Sequence, residues 1–334
     1  MKRTVFTAWV LAAIIFGLGF FSLAKHGVFS QEKKITAVPD PGVSDSAVMI
    51  CAKIDGTVVE MNMDEYLQGV LRAEMPASFE QEALKAQAVA ARTETFYKIE
   101  NGPSSKHPEA DICNDINCCQ AFKSVEAAHK AWGKDVEKYD AKIATAVRET
   151  DGMTILYGDK PILAAFFSAA SGQTNQSGDV WLQNLPYLQS VKSPEGEGEV
   201  PDYYSLKTFT EEEFKQILLA EYPEAKLEGA PEKWFGKVEK NDSDMVISME
   251  IGGIAIKGTK LRSMFSLRSA AFTVSAKKGN IIFHVTGYGH GVGMSQYGAN
   301  VMAKEGKGYQ DILKWYYTDV RIGTYTQKTL AVRG

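Results

Sequence analysis

The sequence lacks a basic excess, internal repeats and a nucleotide-binding motif, and each absence excludes a class of protein. Its 334 residues carry a net charge of −4, whereas general nucleic-acid binders are normally basic. The chain has no repeat and no low-complexity tract, which excludes a repeat architecture and a disordered chain. It shows neither a regular strand–helix alternation nor a nucleotide fingerprint, so a doubly wound nucleotide-binding fold is excluded.

Apolar residues, in contrast, are plentiful enough for a substantial core. Hydrophobic residues make up 45% of the sequence and charged residues 23%, a balance typical of globular proteins. Val48–Ile54 and Thr57–Met63 alternate around Asp55-Gly56, which predicts a tight β-hairpin. Helices and short strands follow in mixed order, with strands expected at Met153–Tyr157 and Ile162–Phe167. The pattern predicts an α+β fold, one large mixed domain whose short strands and helices flank a cleft.

The N-terminal segment predicts a membrane anchor followed by a tether. Thr4–Ala24 is a run of 21 uncharged residues, long enough to cross the roughly 30 Å hydrocarbon core of a bilayer. Lys2 and Arg3 favour an N-terminus in the cytoplasm and a chain that continues outside. A cleaved signal peptide is the alternative, because Ser22 and Ala24 are small residues of the kind a signal peptidase recognises. We predict a cytoplasmic tip and transmembrane helix over 1–24, a linker over 25–46 and a working domain over 47–334.

Glu74 is the residue best suited to acid/base chemistry. Apolar residues at helical spacing predict a helix over Glu65–Glu74, with Asp64 as its N-cap. Pro76 disfavours helical geometry at Met75, so the helix is expected to end at Glu74. The helix dipole and the apolar neighbours both disfavour a charge at this position, which predicts a raised pKa for Glu74. A carboxyl group that keeps its proton suits general acid catalysis, and an ordinary solvated glutamate is the alternative.

Lys85 and Arg92 are candidate partners of Glu74 on the next helix. Ser78 and Gln81 form the pattern of a capping box, which predicts that this helix begins after Ser78. Lys85 and Arg92 are seven residues apart, or two helical turns, and therefore share a face. That face is either a solvated cationic stripe or a surface that binds a ligand and tunes Glu74. The many alanines of the helix indicate close packing, which makes idle polar residues less common.

Near the C-terminus, Gly287–Gly293 contains four glycines in seven residues, so its backbone can approach a ligand closely. The segment is either a tight turn before the last helices or one wall of a cleft. Aromatic faces, amides and hydroxyl groups suit sugar rings, and this region offers several of them: Tyr288, His290, Ser295, Gln296 and Tyr297. His290 is a weaker candidate for a metal ligand, because no second ligand lies nearby in the sequence.

The four cysteines are Cys51, Cys113, Cys118 and Cys119, and five residues separate His107 from Cys113 and Cys113 from Cys119. Outside a membrane, cysteines usually form disulfides, and a Cys113–Cys119 bridge is one interpretation. A histidine with clustered cysteines is also a soft-donor set that suits Zn²⁺, and three such ligands leave an open position for water. Cys118 is an alternative to Cys119 as a ligand, or a partner for Cys51. We favour zinc, because His107 fits the spacing.

Three separated motifs resemble the signatures of the stage II sporulation protein D family. They occur in the expected order and span about residues 47–325, which is more specific than any one motif. Ala170 occupies a position where the family often has cysteine or another small residue. The motifs are Glu74-Met75-Pro76 with Ala83–Ala88 and Ala90–Thr93, then Phe167–Thr174, and finally Gly287–Ala299. Some clostridial relatives are also similar in carrying a zinc site at the spacing of His107, Cys113 and Cys119.

The resemblance implies a lytic transglycosylase that acts on peptidoglycan glycan strands stripped of their peptide stems. In such enzymes one carboxyl group protonates the oxygen between N-acetylmuramic acid and N-acetylglucosamine. It then takes the proton of the muramic C6 hydroxyl, which closes a 1,6-anhydro ring without water. Carried onto this chain, Glu74 is the catalytic acid, and no second paired carboxylate is required. The implied substrate-binding residues are Lys85, Arg92, Ser171, Tyr288, His290, Ser295, Gln296 and Tyr297.

The resemblance also implies a role in engulfment of the forespore, with a sporulation amidase and a membrane scaffold protein as partners. The protein would be a single-pass protein of the cell membrane, with its catalytic domain between the mother-cell and forespore membranes. Zinc on His107, Cys113 and Cys119 would be structural or would shape the cleft. One alternative is a non-catalytic glycan-binding module that stimulates an amidase. The other is a zinc hydrolase that uses water bound by these three residues.

Overall fold

The computed structural model describes residues 44–325 of the chain. The predicted anchor over 1–24 and most of the predicted linker lie outside the described residues, and the bounds of the three predicted segments stay predictions. No helix within 44–325 is both long enough and apolar enough to cross a bilayer. Helices and small sheets alternate irregularly along the described part of the chain, which confirms the predicted α+β class and a single mixed domain.

Four of the other eight α-helices of the described residues pack against the longest of them, α2. The bounds of the helices are Met63–Glu74 (α1), Gln81–Asn101 (α2), Val125–Trp132 (α3), Val136–Arg148 (α4), Ser177–Val180 (α5), Glu211–Glu221 (α6), Gly258–Met264 (α7), Gln296–Lys304 (α8) and Tyr309–Tyr316 (α9). Helix α2 packs against α1, α4, α8 and α9. The first motif lies on α1 and α2, and α8 begins within the third motif. The two motifs therefore meet at α2.

The strands are short and form five small sheets within the described residues. Their bounds are Met49–Ile54 (β1), Thr57–Asn62 (β2), Ile112–Cys113 (β3), Met153–Tyr157 (β4), Lys160–Pro161 (β5), Phe166–Phe167 (β6), Tyr204–Thr210 (β7), Phe235–Lys240 (β8), Val246–Ile251 (β9), Ile254–Lys257 (β10), Phe272–Lys277 (β11), Asn280–Thr286 (β12), Met294–Ser295 (β13) and Arg321–Thr324 (β14). The sheets have the orders β2-β1-β3, β14-β4-β5, β13-β6, β11-β12-β7 and β10-β9-β8. The parallel pairing of β6 with β13 joins the second motif to the third.

Turn chemistry explains the first elements of the fold. Asp55 and Gly56 both have positive φ, at 49° and 85°, and connect β1 and β2 as the predicted hairpin. Helix α1 ends at Glu74 as predicted, because Met75 before the proline is extended. The N-cap differs from the prediction, since Asn62 and not Asp64 accepts the capping hydrogen bond, from Glu65 N–H at 2.8 Å.

Two further boundaries differ from the predicted ones. Helix α2 begins at Gln81 and not after Ser78, because a turn closed by the Phe79 N–H and the Pro76 carbonyl precedes it. The predicted strand Ile162–Phe167 is reduced to β6, its last two residues. These two pair with β13, a contact so distant in sequence that local alternation does not indicate it.

The two larger of three hydrophobic clusters provide most of the core in the described part of the chain. The larger surrounds α2, whose alanines 83, 86, 88, 90 and 91 are fully buried and let the neighbouring helices approach closely, as predicted. The smaller is formed between residues 214 and 285 and includes Phe214, Phe265 and Phe283. Helix α7 packs in this second cluster through Leu261. It nevertheless reaches the cavity described below, through the neighbouring Arg262.

Candidate active site

Glu74 is half-buried at the end of α1, where two hydrogen bonds hold its carboxyl group. Its Oε1 accepts from the backbone N–H of Ala121 at 2.7 Å, and the side chain of Gln296 donates a second bond. Burial raises the pKa of Glu74 above its ordinary value of 4.5, and the two bonds oppose part of that rise. The raised pKa agrees with the prediction, and burial is its largest cause.

A cavity of about 750 Å³ adjoins this carboxyl group. Its walls bring together the three motifs, which lie far apart in the sequence. The lining comprises Glu74, Glu94, Trp181, Arg262, Gln296 and segments 116–120, 163–168 and 288–290, with Ala73 beside Glu74. The volume lies within the usual range of small-molecule and cofactor pockets. Glu74 is therefore placed where it can reach a bound ligand, and it is not sealed within the core.

The glycine-rich loop forms one wall of this cavity through Tyr288, Gly289 and His290. Gly289 has a φ of +118°, and a Cβ there would lie 2.7 Å from the Cβ of Phe167. Tyr288 is exposed, and the guanidinium of Arg268 stacks over its ring at 4.4 Å from the centroid. The sequence allowed either a tight turn or a cleft wall for this loop, and the structure supports the cleft wall.

His290 is a neutral and fixed part of that wall. Its Nδ1 accepts from the Val292 N–H at 3.1 Å, and its Nε2 lies 3.0 Å from the Phe166 carbonyl, to which it donates. Burial lowers the pKa of His290 to about 4, and the nearby Arg262 charge adds to the effect. With both ring nitrogens engaged, His290 presents its ring to the cavity and not a proton donor.

The structure does not place Lys85 and Arg92 in the cavity. Arg92 is fully buried and forms an ion pair with Asp45, with Nε 2.8 Å from Oδ1. Lys85 pairs with Glu82 and Glu149, both at 2.7 Å. Arg92 thus faces a carboxylate from before β1, and a substrate cannot reach it. The shared face was predicted from helical spacing, which cannot show what packs against that face.

Three other predicted contacts also lie outside the cavity lining. Ser295 is buried, caps α8 and donates to Glu195, which also accepts from the Ala170 N–H and so joins the second and third motifs. Tyr297 packs edge-on against Phe79. The Ser171 hydroxyl donates to the Ser243 carbonyl at 2.7 Å. Of the predicted substrate-binding residues, the described cavity is lined by Tyr288, His290 and Gln296.

The lining also contains two charged residues that the sequence motifs do not indicate, Glu94 and Arg262. Glu94 is 8% exposed, one of its carboxyl oxygens has no hydrogen-bond partner, and burial raises its pKa to about 7. Its place on the alanine-rich α2 was an available signal, because a charged residue on a buried helix face is unusual. Arg262 gave no such signal, because it belongs to a short helix far from the motifs.

A candidate metal centre borders the same cavity. Single donor atoms of His107, Cys113, Cys118 and Cys119 all lie within 4.8 Å of one another, so the cluster could hold a metal ion. His107 Nε2 is 3.4 Å from the sulfur atoms of Cys118 and Cys119. Its Nδ1 lies 3.0 Å from the Ala110 carbonyl, a contact that orients the ring as in protein metal sites.

The sequence left open whether Cys113 and Cys119 form a disulfide and whether Cys118 replaces Cys119 as a ligand. None of the four cysteines, all of which are described, forms a disulfide in the structure, including Cys113 and Cys119. Cys118 joins the cluster together with Cys119 and does not replace it. Cys51 lies on β1, outside the cluster. Strand β3 and the loop that follows it therefore supply three sulfur donors, and Cys118 and Cys119 also line the cavity.

Comparison with known proteins gives relatives over nearly the whole chain. A family model described as "Stage II sporulation protein" matches residues 54–157, which include Glu74 and the cysteine loop. Stage II sporulation protein D of Bacillus subtilis is 36% identical, with 96% of each chain covered. The Bacillus amyloliquefaciens protein of the same name is 37% identical over 86% of this chain and 81% of its own. An amidase enhancer of Bacillus subtilis is 27% identical over 78% of this chain and 40% of its own.

These matches cover the parts of the chain that form the cavity and the cysteine cluster. The chain belongs to the stage II sporulation protein D family.

Proposed function

We propose that this protein is a lytic transglycosylase that cleaves the bond between N-acetylmuramic acid and N-acetylglucosamine in peptidoglycan strands stripped of peptide stems. The observation that carries the proposal is the half-buried carboxyl group of Glu74, with its raised pKa, in the wall of a 750 Å³ cavity. A carboxyl group in this environment holds its proton to higher pH than an ordinary glutamate, as a general acid requires. The names of the relatives connect the family with sporulation.

The proposed reaction needs one carboxyl group in two protonation states. Protonated Glu74 donates to the glycosidic oxygen as the C1–O bond breaks. The resulting carboxylate then accepts the proton of the muramic C6 hydroxyl, whose oxygen bonds to C1 and closes the 1,6-anhydro ring. The hydrogen bond from Ala121 and the one from Gln296 stabilise the carboxylate between the two steps.

Glu94 does not fit the second carboxylate of an ordinary glycosidase. Such a carboxylate must be ionised to act as a nucleophile or a base. Burial raises the pKa of Glu94 to about 7, so at neutral pH a large share of it carries a proton. We assign both proton transfers to Glu74, and the products will show whether water enters the reaction.

We propose Zn²⁺ for the cysteine cluster, because three sulfurs and one imidazole nitrogen form a donor set of structural zinc sites. His107, Cys113, Cys118 and Cys119 would hold the ion, and bound zinc would fix the loop that carries the Ala121 N–H. Four protein ligands leave no open position for water in tetrahedral coordination, which speaks against the zinc hydrolase. The proposed role is to shape the cleft.

We further propose action during forespore engulfment, at the cell membrane and outside the cytoplasm. Removal of peptide stems must come first, which calls for an amidase as partner, and a membrane scaffold protein would bring the two together. One relative is named an amidase enhancer, so a non-catalytic role that stimulates an amidase is the second candidate. The two candidates differ in whether the purified protein alone releases products.

The test is digestion of stripped glycan strands by the purified protein and by two variants. Glu74→Gln is expected to lower the rate by at least about 100-fold, a typical contribution of general acid–base catalysis. Glu65→Gln is the matched control, because it removes an exposed carboxylate at the other end of the same helix. Equal activity of Glu74→Gln and the unchanged protein would contradict the proposal, and absence of any product would favour the enhancer.

A further inference from the structure

Arg262 is a cation in the cavity wall without a carboxylate partner. Within residues 44–325 it forms no ion pair, and its Nε donates only to the Leu267 carbonyl, at 3.4 Å. Burial lowers its pKa, but a guanidinium stays protonated in proteins. A half-buried charge that lacks a counter-charge is costly, and such groups are usually paired. The position therefore indicates an anionic group on the ligand.

The surroundings leave Arg262 as the one permanent cation among the described residues that line the cavity. His290, next to it, is neutral at physiological pH because its pKa is about 4. The other guanidinium of the region belongs to Arg268, which stacks on Tyr288 and pairs with Asp202 at 3.4 Å. Arg268 thus has partners, and its place is beside the cavity wall. Arg262 alone is available to a ligand.

We propose that Arg262 binds the free carboxylate of the lactyl group on N-acetylmuramic acid. This inference rests on the proposed function, since it concerns the same cavity and the same glycan. The peptide stem of peptidoglycan is joined to the lactyl carboxyl group by an amide bond, which is neutral. Hydrolysis of that bond by an amidase leaves a carboxylate, which is the planar anion that a guanidinium binds with two parallel hydrogen bonds.

Arg262 would thereby make the cavity specific for stripped strands. The cavity walls also contain Glu74 and Glu94, which repel an anion when ionised, so the position of the lactyl group matters. A lactyl carboxylate placed near Arg262 is attracted by the guanidinium. A lactyl amide at the same place carries no charge, and its peptide stem requires additional room. A single residue of α7 then determines that the amidase must act first.

The test measures binding in the Glu74→Gln background, where turnover does not consume the ligand. Muramic-acid oligosaccharides are prepared with a free lactyl carboxylate or with the corresponding methylamide, and their affinities are measured by calorimetry. The free acid is expected to bind at least about tenfold more tightly, the magnitude of one charge-assisted contact. Arg262→Gln is expected to remove this difference, and Arg262→Lys to retain part of it.

Lys260→Gln is the matched control on the same helix. Lys260 lies outside the cavity lining and pairs with Glu221, so this variant removes one positive charge and is expected to keep the preference for the free acid. Equal affinity of the starting protein for acid and amide, or binding of neither, would overturn the inference. So would an Arg262→Gln variant that still prefers the acid. Circular dichroism checks that each variant is folded.

The outcomes separate this inference from the proposed function. If the protein prefers the free acid through Arg262 but never cleaves glycan, the proposed ligand of Arg262 is supported and the transglycosylase activity is contradicted. Cleavage of acid and methylamide strands at equal rates supports the transglycosylase and contradicts the role of Arg262. If Arg262→Gln is unfolded, the affinities of the starting protein and of Arg262→Lys for the acid and the amide still test whether Arg262 binds the carboxylate.

Discussion

The Oε1 atom of Glu74 accepts a 2.7 Å hydrogen bond from the backbone N–H of Ala121, the second residue after Cys119. The position of the candidate acid thus depends on the loop that carries the candidate metal ligands. Lys98 of α2 holds the same loop, because its Nζ donates to the Cys118 carbonyl at 3.0 Å. Under the proposed function, an ion at the candidate metal centre would act on the reaction through the position of Ala121.

Loss of the metal is therefore expected to lower both stability and activity. Cys113→Ser removes a buried donor that does not line the cavity. We expect bound zinc to fall from one ion per chain to a small fraction, and the free energy of unfolding to fall by at least about 2 kcal/mol. Elemental analysis and thermal unfolding measure the two effects.

Cys51→Ser serves as the control for this experiment, since Cys51 lies outside the cluster. It is expected to retain the ion. Zinc retained in full by Cys113→Ser would contradict the assigned ligand set. Activity that is unchanged after complete removal of the metal would contradict the link through Ala121.

The pH dependence of cleavage is expected to report the pKa of Glu74. Because the protonated carboxyl group is the active form, the rate should fall as pH rises through the raised pKa, above the ordinary value of 4.5. The bond from Gln296 stabilises the ionised form, so Gln296→Leu should raise this pKa and move the alkaline limb to higher pH. A limb that stays in place, or moves to lower pH, would contradict the assignment.

Glu94 makes stability depend on pH in a specific direction. An unfolded glutamate ionises near pH 4.5 and folded Glu94 near pH 7, so the folded state holds the proton more tightly between these values. Its contribution is complete below pH 4.5 and is lost as pH rises to about 7, a change on the order of 3 kcal/mol. Glu94→Gln should flatten the dependence of the unfolding free energy on pH in this window. An unchanged slope would show that Glu94 is ionised in the folded protein at lower pH.

The buried pair of Asp45 and Arg92 should act on stability and not on the reaction. Both side chains are at most 2% exposed, so Asp45→Asn leaves a buried guanidinium without its counter-charge. We expect a loss of about 3–5 kcal/mol in chemical denaturation, with the activity of the folded fraction unchanged. The double variant Asp45→Asn, Arg92→Met should recover part of the loss. A specific loss of activity in folded Asp45→Asn would instead restore a substrate role for Arg92.

The sequence predicted those parts of the site that local chemistry determines. Pro76 fixes the end of α1 and hence the place of Glu74, and the glycines allow the backbone of the Tyr288–His290 segment to approach Phe167. The spacing of His107 to Cys119 places these donors in one short segment between α2 and α3, so the cluster was also indicated. In each case the information lies within a few residues.

Contacts between segments that are far apart in the sequence could not be predicted from local patterns. Helical spacing put Lys85 and Arg92 on one face, but it could not show that Asp45 packs against Arg92. Arg262 enters the cavity because the second hydrophobic cluster holds α7 there, and that packing depends on residues between 214 and 285. These positions follow from tertiary packing, which a single sequence does not display.

The most direct test of the central claim is digestion of stripped glycan strands in water enriched in heavy oxygen, followed by mass spectrometry of the muramic ends. If Glu74 alone carries both proton transfers, the new ends are 1,6-anhydro rings that contain no oxygen from the solvent, and Glu74→Gln forms none. Reducing muramic ends that carry the heavy isotope would show that water attacks the sugar. That result would contradict the transglycosylase and point to a hydrolase in which Glu94 or the metal centre takes part.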